Sequence, residues 1–281
     1  MRIGLALGGG GAKGLAHIPI LETLDELGVR PAAIAGTSIG ALVGALYASG
    51  ITAREMRADL DEVLFSNDGD GEKLGLDVPR RLRQILDLID LDLGRGGLLR
   101  GEKFLERVYE DVRARRFEEL AIPFKVVATE FWSREQVVFE AGELIPAVRA
   151  SMSLPVLFSP VILGDRVLMD GGAVNPVPYD LLFDDCDFTI AVDVSGVRSK
   201  DPEGQVPSLT ESIFNTFQIM SKAIVDQKLR IRPPDLYLRP AIIDVQALEF
   251  DRAHEIYDQA ASACEELRQR LVPLLERSVA G

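Results

Sequence analysis

"IAGTSIGA" (residues 34–41) sets a serine between two glycines, with the spacing Gly36-x-Ser38-x-Gly40. The residues before it, "AAIA" (32–35), read as a short apolar strand, and "GALVGALYA" (40–48) reads as a helix. A serine on a turn between strand and helix needs small neighbours, because the turn is tight and leaves little room for side chains. The turn lifts the hydroxyl above the sheet edge and points a helix N-terminus at developing negative charge. A strand over 32–36 and a helix over 39–49 supply the context that a lone GxSxG lacks. Ser38 is therefore a candidate nucleophile, and the next question is which group takes its proton.

Upstream, "RIGLAL" (2–7) is short and apolar and runs straight into glycines, which fits a buried parallel strand. In "AHIPILETLDELG" (16–28), Leu21, Leu24 and Leu27 share a helical face and Gly28 suits the C-cap. Pro19 fits only near the helix start or as a kink. Strand, helix, strand, helix at this spacing implies a right-handed βαβ unit. "FKVVATE" (124–130) and "DFTIAVDVS" (187–195) would extend the parallel sheet. "VILGDRVLMDGG" (161–172) reads as a hairpin turning at Gly164-Asp165. The fold class expected is α/β, three-layer α/β/α with a mostly parallel central sheet. Amphipathic helices are expected at 101–113 (Phe104, Leu105, Val108 and Val112 on one stripe), 209–230 and 248–275. Residues 66–100 break this rhythm: Leu82, Ile85, Leu86 and Ile89 lie on one side of a segment that starts with Arg80, Arg81 and Arg83. That segment is the candidate mobile cap of a single domain spanning 1–281.

Bulk properties narrow the function. A chain of 281 residues with 47% hydrophobic residues can bury one large α/β core. The formal net charge of −13 argues against broad nucleic-acid binding and against general adhesion to anionic membranes. Cys186 and Cys264 form no CxxC and read as reduced thiols of a cytoplasmic protein. There is no Cys/His cluster of the kind zinc sites use, so no metal is expected. The apolar run after Met1-Arg2 is too short for a signal-peptide core. Pro31–Ala53 carries no charge over a length that would span a bilayer, yet Pro31, Gly36, Thr37, Ser38 and Gly40 break it into a strand and a buried helix.

The glycine run "LGGGGAKGLAH" (7–17) admits two readings. Gly9-x-Gly11-x-x-Gly14 after a strand resembles a dinucleotide fingerprint, but that site needs an acid at the end of the second strand, and this strand ends "IAGTSIG". A P-loop is excluded because Gly14 follows Lys13. The other reading is an oxyanion hole, whose backbone N–H groups stabilise a tetrahedral intermediate. A glycine loop after one strand and a serine elbow after its parallel neighbour would open at the same sheet edge. For the base, His17 adjoins the glycine loop and is expected to pack against it. His254, in "FDRAHEIYDQA", is expected on a solvated helix face. Asp170 ends an apolar strand ahead of Gly171-Gly172, while Asp193 ends a strand without a double glycine. Lys13 is expected to be structural, and Trp132 and the phenylalanines to be ordinary packing.

Three motifs, "GGGAKG" (9–14), "GTSIG" (36–40) and "DGG" (170–172), resemble in order and spacing the patatin-like phospholipases, in the bacterial branch related to neuropathy target esterase. "ASMSLPVLFSPV" (150–161), "NPVP" (175–178) and "PPDLYLRPAI" (233–242) are similar to the family as well, while 66–100 matches poorly. Pro19 stands where relatives often carry glycine. The resemblance implies a Ser-Asp dyad without histidine: Ser38 as nucleophile and Asp170 as base. It implies oxyanion donors at Gly9, Gly10, Gly11 and Ile39, supported by Lys13, Gly14, Gly36, Gly40, Gly171 and Gly172. It further implies a lipid ester substrate of the phospholipase A or lysophospholipase type, no cofactor, and peripheral contact with a membrane. The rival expectation is a protein that holds a nucleotide or an acyl group on the same fold without turnover.

Overall fold

The computed structural model describes residues 1–65, 114–155, 157–197 and 209–279. The cap expected at 66–100 and the helix expected at 101–113 lie outside the described residues. Among the described residues, eight strands form one sheet: β1 (Ile3–Leu7), β2 (Ala33–Thr37), β3 (Phe124–Glu130), β4 (Gln136–Phe139), β5 (Val161–Leu163), β6 (Arg166–Asp170), β7 (Phe188–Val192) and β8 (Leu236–Leu238). The helices are α1 (His17–Glu26), α2 (Ile39–Ala48), α3 (Ala53–Phe65), α4 (Leu144–Ser151), α5 (Leu209–Ile231), α6 (Ala253–Gln259) and α7 (Ala261–Val279). The sheet order is β5-β6-β3-β2-β1-β7-β8, with β4 also paired to β3. Strands β3, β2, β1, β7 and β8 are parallel. Strands β4, β5 and β6 attach antiparallel.

The two faces of the sheet are legible in the alternation along each strand. Leu5, Leu7, Ile34, Ile190 and Val192 face a large core that also takes residues from α1, α2, α4, α6 and α7. The other face presents Ala6, Ala33, Ala35 and Ala191, and these small side chains let Val177, Tyr179, Leu182 and Val225 approach closely. Helices on one face, and α5 with a 3-10 turn (Tyr179–Leu182) on the other, make the three-layer α/β/α fold.

The apolar run Pro31–Ala53 divides into β2, the Ser38 turn, α2 and the start of α3, and among the described residues no helix is long and apolar enough to cross a membrane. The hairpin turns at Gly164-Asp165, with Gly164 at φ 64. Pro19 sits in the first turn of α1, where no intrahelical hydrogen bond is lost. The helix expected over 248–275 is instead a 3-10 turn (Phe250–Arg252), α6 and α7, with Ala260 at the break. Trp132 departs from expectation: it is 73% exposed, edge-on to the half-exposed Phe131. The turn from β3 to β4 is too short to fold its side chains back onto the sheet, so both rings stand out from it.

Candidate active site

Ser38 is the residue between β2 and α2, and its backbone is at φ 56, ψ −127. A positive φ at a residue with a Cβ is strained, typically by about 1–3 kcal/mol, and persists only where the surroundings enforce it. Close approach explains the flanking glycines. A Cβ on Gly40 would lie 2.1 Å from the Leu7 carbonyl oxygen, and one on Gly36 would lie 2.5 Å from the Gly40 carbonyl oxygen. The Ser38 carbonyl accepts from the Ala41 and Leu42 amides, while the Ser38 amide donates to the buried Ser151 Oγ at 2.8 Å.

The position of Asp170 follows from strand register. On β3, Val126 and Val127 pair with β2 on one edge and with β4 on the other. Ala128 and Thr129 keep β4 but pair with β6 instead of β2. Strands β2 and β6 therefore share one edge of β3 and run toward each other, ending at Thr37 and Asp170 on adjacent rungs. The residue after Thr37 is Ser38, and its Oγ donates to Asp170 Oδ2 at 2.6 Å. The other carboxylate oxygen, Oδ1, accepts from the Gly172 amide at 2.7 Å. The Asp170 backbone is also held, its amide by the Ser153 carbonyl at 3.0 Å and its carbonyl by Thr129 Oγ1 at 2.8 Å. Burial pushes the Asp170 carboxyl up to about 6, against the opposing pull of the hydrogen bonds from Ser38 and Gly172. Gly171 has no room for a side chain, since a Cβ there would sit 2.3 Å from the Val127 carbonyl oxygen.

The glycine loop leaves β1 beside this pair. A Cβ on Gly9 would stand 3.1 Å from the Ser38 Cβ. The amides along the loop are not equivalent. Gly8 donates to the Val192 carbonyl, Gly9 to the Pro176 carbonyl at 3.0 Å, and Ala12 to the Ala247 carbonyl. The Gly10 and Gly11 amides have no such partner among the described residues. Ile39 opens α2, where a first-turn N–H has no intrahelical acceptor. Gly14 lies under Ile39, and a Cβ there would be 2.3 Å from the isoleucine side chain.

Of the other candidates, Lys13 and Asp193 line the same cavity as the pair, and neither histidine does. His17 is fully buried and its Nε2–H donates to the Gly8 carbonyl at 2.9 Å, which braces the base of the loop. Burial pushes its imidazole down to about 4, so the ring is neutral at ordinary pH. His254 is exposed on α6, edge-on to Tyr257. Asp193 is buried and accepts from the Ser195 amide and from the Tyr237 hydroxyl. Lys13 is buried with its Nζ 3.5 Å from the Val245 carbonyl. Among the described residues no three His, Cys, Asp or Glu side chains gather to hold a metal ion.

A narrow cavity of about 70 Å³ opens over Ser38, lined by the glycine loop, Leu154 and the α5 side chains Phe214, Phe217 and Val225. A larger groove of about 790 Å³ lies around the ends of α1 and α2, among Glu22, Asp25, Arg30 and Tyr47. It contains none of the paired groups, so size does not locate the chemistry here. Helix α5 is tied over the smaller cavity. Ser221 Oγ donates to the Gly172 carbonyl, and the buried end of Lys228 bonds Asn175, the Val177 carbonyl and Asp180. Sequence reasoning assigned no role to Ser151 or Ser153, and it took the phenylalanines for ordinary packing, whereas Phe214 and Phe217 line the cavity over Ser38. "ASMSLP" (150–155) was visible as a motif, but its contacts are tertiary.

The family model described as patatin-like phospholipase matches residues 5–183. An uncharacterized NTE family protein of Mycobacterium tuberculosis is 34% identical over 226 residues, covering 80% of this chain and 58% of that protein. A protein of Kluyveromyces lactis named lysophospholipase NTE1 is 30% identical over 277 residues, covering 91% of this chain and 18% of its own length. The chain thus spans a little over half of the mycobacterial relative and less than a fifth of the fungal one. Among solved structures, VipD from Legionella pneumophila superposes with a TM-score of 0.47 at 15% identity, over 94% of this chain and 66% of that one. ExoU of Pseudomonas aeruginosa, in complex with SpcU, gives 0.47 at 16% identity, over 97% and 53%. On the family match and the mycobacterial and fungal sequences, the chain belongs to the patatin-like phospholipase family.

Proposed function

We propose that this protein is a serine acyl-ester hydrolase acting on lipids, of the phospholipase A or lysophospholipase type, working through Ser38 and Asp170. The observation that carries the reading is the 2.6 Å hydrogen bond from a strained serine to a buried carboxylate whose pKa is lifted to about 6. An unperturbed aspartate, near ~3.9, is a weak base at neutral pH, and efficiency improves as the pKa approaches the operating pH. Ser38 Oγ attacks the ester carbonyl carbon while Asp170 Oδ2 takes its proton. The tetrahedral oxygen is assigned to the Gly10, Gly11 and Ile39 amides, the N–H groups around Ser38 with no acceptor of their own among the described residues. Gly9, whose amide already bonds Pro176, contributes loop shape in place of a donor. Collapse expels the alcohol, which takes the proton from Asp170 and leaves an acyl-Ser38. Water then attacks the acyl carbon with Asp170 again as base, releasing the fatty acid and restoring the hydroxyl. Each oxyanion donor is worth ~10²–10³ in rate where it has been removed in other enzymes.

Membership of the family, and the relative named as a lysophospholipase, support lipid as the substrate class. Leu154, Phe214, Phe217 and Val225 give the cavity an apolar side that suits an acyl chain, beside the polar Asp193, Gln218 and Lys222. Lipid in a bilayer makes peripheral membrane contact part of the proposal. The test is a fluorophosphonate probe followed by peptide mass mapping, together with hydrolysis of a defined panel of lysophospholipids, phospholipids and neutral esters. The expected result is a single adduct on Ser38 and fatty-acid release that Ser38→Ala abolishes. A folded protein that binds lipid or nucleotide yet neither labels nor turns over any panel member would overturn the reading.

A further inference from the structure

The last turn of α4 and the residues after it touch both halves of the proposed pair. Ser151 Oγ accepts the Ser38 amide at 2.8 Å, and two residues later the Ser153 carbonyl accepts the Asp170 amide at 3.0 Å. Ser151 is fully buried, and Ser153 is pinned by its own Oγ, which donates to the Arg149 carbonyl. The turn is closed further by the Ser153 amide on the Ala150 carbonyl.

We infer that Ser151 is a positioning residue of the hydrolysis, holding Ser38 in the strained backbone conformation from which its hydroxyl reaches Asp170. The inference rests on the proposed role of Ser38 as nucleophile. At φ 56 the serine sits in a region that residues with a Cβ seldom occupy, and relaxation to negative φ would rotate the Cα–Cβ bond away from Asp170. Locally, the Ser38 carbonyl is held by the start of α2, but that anchors only the C-terminal side of the residue. The amide on the N-terminal side is held by the Ser151 hydroxyl, a contact 113 residues away in sequence. With both peptide groups tethered, φ and ψ of Ser38 have little freedom. Because the same short segment also holds the Asp170 backbone, the two reacting groups share one rigid reference. Ser151 acts through Ser38 and does not line the cavity above it.

The experiment is Ser151→Ala in the full chain, with active sites counted by fluorophosphonate titration run to completion. Turnover per titrated site should fall ~10–100-fold while KM stays within about twofold, because the cavity lining is untouched. The acid limb of the kcat/KM profile should stay where Asp170 sets it. Ser151→Thr, which keeps the hydroxyl, should recover a larger part of the turnover than any gain in stability explains. A merely structural serine would lower the number of titratable sites or the melting temperature and leave turnover per site unchanged, and that result overturns the inference. Should Ser151→Ala fail to fold, Ser151→Cys is close in size and offers only a weak sulfur acceptor. A fivefold or greater loss per site supports the inference, and none overturns it. The two proposals fail differently: if wild-type Ser38 does not label, the nucleophile reading falls, whereas normal labelling with undiminished per-site turnover in the Ser151 variants removes only the positioning role.

Discussion

Asp170→Asn should leave the protein inactive and, at neutral pH, more stable. The carboxyl is buried and its pKa stands near 6 in the folded protein against the ordinary 3.8. Below pH ~4 it is protonated in both folded and unfolded chains, and ionisation does not bias folding. Between pH ~4 and ~6 the unfolded chain releases the proton first, so the folded state loses about 1.4 kcal/mol per pH unit. Above pH ~6 both forms are ionised and the accumulated penalty levels off at about 3 kcal/mol. The amide of asparagine is nearly isosteric, can still accept from Gly172 N–H, and carries no ionisation cost. Its own hydrogen-bond differences are the same at every pH, so the pH dependence of the stability difference isolates the buried charge. Chemical denaturation of both proteins from pH 4 to 8 should show the variant gaining about 3 kcal/mol across that window, or about 5 °C in melting temperature for a chain of this length. Turnover should fall by at least ~10³-fold, since the variant has no base. A stability difference that stays flat from pH 4 to 8, or one that moves against the asparagine variant as pH rises, would refute the claim that the carboxylate is held at an energetic cost.

The acid limb of kcat/KM should lie near pH 6, since Asp170 must be ionised to act, and His254→Gln should leave both the limb and turnover unchanged in a steady-state pH series. His17 has the opposite linkage: its folded pKa near 4 lies below the unfolded ~6.5, so wild type should lose about 3 kcal/mol relative to His17→Gln as pH falls from 6.5 to 4, read by the same denaturation series. Gly40→Ala should cost about 3 kcal/mol or more, because its Cβ meets the Leu7 carbonyl at 2.1 Å. Gly28→Ala, where the space is open and only φ 67 is unfavourable, should cost about 1 kcal/mol, and thermal melts separate the two. Trp132, the single tryptophan, should fluoresce as a water-exposed ring that acrylamide quenches readily, and Trp132→Ala should change stability by less than about 0.5 kcal/mol.

What the sequence alone determined is local. Apolar runs ending in glycine marked β1, β2 and the β5–β6 hairpin, and the small residues around Ser38 marked the elbow, because tight turns and 2.0- and 3.6-residue periodicities are written in consecutive residues. The same locality hid β4 and β8, whose few residues carry too little pattern, and it joined α6 to α7, which break at the buried Ala260. What brings Ser38 to Asp170 is non-local. It depends on β6 choosing the edge of β3 that β2 has just vacated, and on a register in which the two strand ends meet. A one-residue slip would turn the carboxylate to the opposite face of the sheet, and no run of consecutive residues encodes that choice. The lifted pKa of Asp170, the engaged amide of Gly9 and the grip of Ser151 on the nucleophile's backbone follow in turn. Each is set by which distant groups exclude water or offer a hydrogen bond, and the tertiary structure alone decides that.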